Sequence, residues 1–162
     1  MEGEIHIMRI ICYRTELSND RLNVLVKESA CNYSEAKELK SPERIVQMLN
    51  DVFNLSNLAE EYVYLIAFDT KMKPIGIFEV SHGGVNTSIC NPREIFVKAL
   101  LCGATGIVLV HNHPSGDTTP SKQDIQVIQR IKEVGELLGI PLTDSLIVGD
   151  GSYCSFREQQ IL

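Results

Sequence analysis

The chain predicts an α/β fold, a mixed β-sheet flanked by helices. Three observations carry this. Short apolar, β-branched runs alternate with amphipathic stretches; two of those stretches open on a cap followed by proline, Ser41-Pro42 and Asn91-Pro92; and a third opens on Ser121-Lys122-Gln123-Asp124 and stops at Gly139. With 162 residues and 44% apolar content, the chain is long enough for one domain with its own core and short for two.

The elements follow in order. Residues 5–12 and 22–26 read as strands separated by a polar turn, extending the main sheet. Ser41 caps a helix with proline at its first position, and Ile45, Met48, Leu49, Val52 and Phe53 keep helical spacing as far as Asn54. Residues 62–68 and 75–80 form strands joined by a hairpin turn at 69–73. Asn91-Pro92 opens a helix through Leu101, with Phe96, Ala99 and Leu100 inward and Gly103 as its stop. The run 106–110 (GIVLV) has the composition of a buried core strand. Residues 121–138 then form a long amphipathic helix, with Ile125, Ile128, Ile131 and Leu138 on or near one stripe. Segments 145–148 and 153–156 complete the sheet. There are no internal repeats and no low-complexity segments.

The chemistry concentrates where the buried strand ends. His111 and His113 follow it directly, and strand alternation puts both on one face, roughly 6.6 Å apart at about 3.3 Å per residue. Two imidazoles so placed chelate one ion after small rotamer adjustments. A Pro/Gly/Asp/Thr-rich turn leads to Ser121 and Asp124, and Asp124 supplies a third ligand. A catalytic zinc site keeps three protein ligands and leaves the fourth position to water, which fits His111, His113 and Asp124 with Zn2+. Two plainer readings stand beside this one. Ser121 to Asp124 has the form of a capping box with Asp in the usual Glu or Gln position, and a histidine pair beside a turn is a common solvated loop feature.

Composition excludes several classes. The net charge is −6 and the pI near 5.2, without a basic cluster, which argues against strong direct nucleic-acid binding. No run approaches the roughly 18 apolar residues of a membrane span, and the N-terminus is acidic where a secretion signal is basic, so a soluble cytoplasmic protein is expected. Five cysteines, odd in number and without C-x-x-C spacing, signal neither a disulfide framework nor a cysteine zinc site. Cys90 and Cys102 flank the helix that opens at Pro92, with no base beside either to make a nucleophile. His6 reads as a sheet residue, His82 as a loop residue with substrate contact left open, and Arg93 as a partner for a surface acid or a substrate carboxylate.

His111-x-His113, seven residues, Ser121, two residues and Asp124 resemble the JAMM motif of JAB/MPN metalloproteases without a gap. Residues 91–96, 111–124, 137–142, 147–151 and 155–158 resemble segments of the bacterial RadC branch, in the same order. The resemblance covers about residues 58 to 162, read as a JAB/MPN catalytic domain behind an N-terminal extension, residues 1–57, that packs on the core. It implies a three-layer, cytidine-deaminase-like arrangement. It further implies a zinc-dependent hydrolase acting on a peptide or protein, with a glutamate general base at the start of a core strand. Glu61 is the best match for that base, Glu60 is its one-residue alternative, and Glu79 lies on a later strand. Ser121 is the corresponding donor to a developing oxyanion. The resemblance also carries a second expectation, a non-catalytic zinc-containing module of DNA-repair or mobile-element machinery, reaching nucleic acid through a partner. One departure is plain: Leu142-Thr143-Asp144-Ser145 places serine where RadC relatives usually carry histidine.

Overall fold

A computed structural model of the chain describes residues 7–36, 38–83 and 90–162. Residues 5 and 6 of the first predicted strand, His6 among them, therefore lie outside the described residues. In chain order the elements are β1 (Met8–Leu17), β2 (Asn23–Tyr33), α1 (Pro42–Phe53), a 3-10 turn (Leu55–Asn57), β3 (Glu61–Phe68), β4 (Pro74–Gly83), α2 (Pro92–Leu101), β5 (Gly106–Asn112), α3 (Lys122–Leu138), β6 (Leu142–Val148) and β7 (Tyr153–Ser155). Among the described residues the strands form one mixed sheet in the order β2-β1-β4-β3-β5-β6-β7.

The sheet is the middle of three layers. Along β3 and β5 side chains alternate between two cores, as the two-residue period of a strand requires. Tyr64, Ile66, Val108 and Val110 face α1, against Ile45, Met48 and Leu49. Leu65, Ile107 and Leu109 face α2 and α3, against Phe96, Ala99, Ile128 and Ile131. Every residue of β5 is buried, which explains its unbroken apolar run: a strand covered on both faces has no position for solvent-facing polar residues until its end.

The caps are those the sequence predicts. The Ser41 and Asn91 side chains accept from Arg44 N and Arg93 N, each ahead of a first-turn proline. Helix α3 ends at Gly139, whose φ of 70° is the left-handed conformation that glycine adopts without penalty. There Ile140 N donates to Gly135 O and Gly139 N to Glu136 O, satisfying the last carbonyls.

The structure departs from the sequence reading in four places. β1 and β2 run longer than predicted because they pair over nearly their whole length, with one bulge at Cys12/Tyr13. Leu100 is 55% exposed, since α2 turns Ile95, Phe96 and Ala99 inward and the next position falls outside. Leu138, 42% exposed, also points outward, and the apolar contact at that helix end is made instead by buried Ile140. His82 belongs to β4, not to a loop, because β3 and β4 stay paired as far as Glu61 and Gly83.

Candidate metal centre

Strand register assembles the centre. β3 and β5 are antiparallel with Val63 opposite His111, so these two share a face. Glu61 stands two residues before Val63 and His113 two after His111, so all three functional side chains emerge on the face covered by α3. His113 is held past the end of β5 by its backbone N–H, which donates to Val148 O at 2.8 Å.

The three donors converge. His111 Nε2 and His113 Nε2 are 3.2 Å apart. Asp124 Oδ1 lies 3.5 Å from His111 Nε2 and Oδ2 lies 3.7 Å from His113 Nε2. Ligands about 2.0–2.1 Å from a tetrahedral ion stand about 3.3 Å from each other, so these separations fit a single ion. His113 Nδ1 is 2.7 Å from Asp117 O. A carbonyl only accepts, so Nδ1 carries the proton and Nε2 keeps its lone pair for a metal, the usual outer-shell arrangement for a ligating histidine.

Asp124 resolves the two sequence readings into one. Ser121 N and Ser121 Oγ both donate to Asp124 Oδ2, at 2.7 and 2.6 Å, while Asp124 N donates to Ser121 Oγ at 3.0 Å. This is a complete capping box. The carboxylate thus caps α3 and, in the same rotamer, turns toward the histidines. Burial acts to raise the Asp124 carboxyl, but hydrogen bonds from His111 and from the Ser121 hydroxyl and amide outweigh it and hold the group well below the usual carboxylate range.

Glu61, 7% exposed, lines the same cavity as His111, His113, Ser121 and Asp124. Glu60 is exposed. Glu79 pairs at 2.6 Å with His82 Nδ1, and both belong to the half-exposed surface of β4. His82 stacks on Tyr62, ring centroids 5.0 Å apart, and Tyr62 packs against the α1 core, away from the donors. Arg93 is exposed and pairs with Glu94 at 3.5 Å. Cys90 lines the cavity. Burial, with the charges of Glu61 and Asp124, pushes its thiol up to about 12, so it is protonated at neutral pH and is no nucleophile. All five cysteines are free. Ser145 is fully buried opposite Leu109, and its Oγ has no hydrogen-bond partner.

Sequence reasoning missed Asn112. It sits between the two histidines, faces the opposite side of β5 and is 1% exposed. Its Oδ1 accepts from Tyr62 N at 2.7 Å, and its Nδ2 donates to Glu60 O at 3.0 Å and Leu58 O at 3.3 Å. One amide thereby ties the chain entering β3, and Glu61 with it, to the strand carrying the histidines. The available signal was a polar residue at a buried strand position, which requires partners. Asn112→Ala strands the Tyr62 N–H and two carbonyls; the expected loss is on the order of 3 kcal/mol, read as a lower denaturant midpoint with unchanged slope.

Gly149 packs against the loop between β5 and α3. A Cβ there would overlap Gly116 O and stand 2.7 Å from Thr118 Cγ2, so only glycine lets the β6–β7 turn approach the loop that carries Asp117.

A three-layer α/β domain with two histidines at the end of β5 and an aspartate in the first turn of α3 fits a JAB/MPN-type domain. The family model for the RadC-like JAB domain matches residues 39–161, and the chain belongs to the RadC family. It is similar to a UPF0758 protein of Clostridium tetani, 50% identical over 105 residues that make up 65% of this chain and 46% of that protein. It is also similar to one of Clostridium perfringens, 42% identical over 125 residues, 77% of this chain and 54% of the relative, and to one of Geotalea uraniireducens, 35% identical over 141 residues, 87% and 61%. The chain spans about half the length of the curated relatives it matches. Among the described residues no helix is long and apolar enough to cross a membrane.

Proposed function

We propose that the chain is a zinc-dependent peptidase or isopeptidase. The observation that carries this reading is that three metal donors and one buried glutamate open into a single cavity of about 440 Å3. Two imidazoles and one carboxylate suit zinc, and a three-ligand set leaves a position for water or substrate. When bound there, zinc supplies Lewis acidity that brings the pKa of a water to about 7 and polarises a carbonyl.

The chain's own residues do the rest. Glu61, on the same face as both histidines, takes the proton from the attacking water and delivers it to the leaving amine. Asp117, through its carbonyl, keeps His113 in the ligating tautomer. Ser121 lines the cavity at the N-terminus of α3, where its hydroxyl turns from Asp124 to the developing oxyanion, a donation typically worth about 3 kcal/mol in the transition state. Until then the same hydroxyl holds Asp124 in place.

The second reading, a non-catalytic zinc-holding module of DNA-repair or mobile-element machinery, draws on the donor cluster alone, which can hold an ion without hydrolysis. A panel of peptides and isopeptide-linked conjugates separates the two. The peptidase reading expects turnover that a zinc chelator abolishes and added zinc restores. Absence of turnover across the panel, with zinc bound, favours the module.

A further inference from the structure

We infer that the cavity beside the metal donors is a subsite for an aliphatic side chain flanking the cleaved bond; this rests on the metallohydrolase reading and deepens it. The cavity lining has two chemically different parts. One carries His111, His113, Asp124 and Glu61. The other is walled by Val63 of β3, Leu109 of β5, Cys90 at the entry to α2, and Val127 and Ile128 one turn beyond Asp124 on α3. Val63, Leu109, Cys90 and Ile128 are each buried, so these walls are fixed by the same core that holds the sheet against the helices. Val127 is half-buried and forms the side nearer solvent.

None of these five walls carries a charge, and the Cys90 thiol is held neutral by burial and by the neighbouring carboxylates. The charged lining residues are Glu61 and Asp124 beside the histidines and the exposed Lys122, so none of the five walls offers a partner for a charged substrate side chain. The lining residues Ser115, Lys122 and Gln123 are exposed. The volume, about 440 Å3, lies in the range of about 300–1,000 Å3 found for small-ligand clefts, enough for one side chain beside the reacting group.

Binding of alkyl hydroxamates to the zinc-loaded protein, followed by calorimetry, tests this without reliance on turnover. The series runs from acetohydroxamate to hexanohydroxamate, with a carboxylate-terminated and an ammonium-terminated homologue of equal length. The expected result is a rise of about four-fold in affinity per added methylene until the cavity is filled, with both charged homologues weaker than the alkyl compound. Val127→Phe, which narrows the cavity from its outer side, and Val127→Ser, which makes that side polar without bulk, both flatten the dependence on chain length. Equal affinity along the series, a charged homologue as tight as the alkyl one, or no binding by any member overturns the inference. Zinc content measured on the same sample shows whether the metal reading has failed as well. A steep chain-length dependence in a protein that cleaves no peptide leaves the subsite standing and contradicts the peptidase reading alone.

Discussion

Protein purified without added metal is expected to hold close to one zinc per chain, and His113→Ala to lose it. His113 is the better position to test because it lies beyond the end of β5 and is only partly buried, whereas His111 is inside the strand with both neighbours paired. Replacing His113 removes a donor without opening the core. The remaining pair, His111 and Asp124, keeps 3.5 Å geometry but is one ligand short of a stable site. The affinity loss should exceed the about 10- to 100-fold that follows when only a supporting hydrogen bond to a ligand is removed. Elemental analysis of both proteins, with far-ultraviolet circular dichroism to show that the fold persists, reads the result.

Glu61→Gln is expected to keep the metal and lose hydrolysis by about 10²- to 10⁴-fold, the usual contribution of a general base. Glutamine fills the same buried volume and is neutral, so the packing around Val63 and Cys90 is undisturbed. It cannot accept the water's proton. Because Glu61 is absent from the three-donor cluster, zinc content should match the wild type. Turnover equal to wild type would move the base elsewhere, and neither Glu60 nor Glu79 offers a ready substitute: the first is exposed and the second is engaged with His82.

Much of this arrangement was legible before the structure. β5 announced itself as a buried strand because covering both faces leaves only apolar positions, and the cap-plus-proline pairs placed both α1 and α2 to the residue. His111, His113 and Asp124 were readable because two of them obey strand alternation and the third sits one turn into a capped helix. What escaped depends on contacts between distant residues. Asn112 bridges to residues 50 to 54 positions earlier, and no local period encodes that partner. The outward turn of Leu100 and Leu138 reflects which face each helix buries, with Ile95, Phe96 and Ala99 inward on α2 and Ile128 and Ile131 on α3. The competition between a capping box and a metal ligand at Asp124 dissolved only in three dimensions, where the two carboxylate oxygens face different partners.

The most direct test of the centre is X-ray absorption at the zinc edge on the loaded protein. The arrangement described here predicts a shell of nitrogen and oxygen donors at about 2.0–2.1 Å, including two imidazoles and no sulfur. A sulfur shell near 2.3 Å, which would bring in Cys90, or a shell without imidazole, would contradict it.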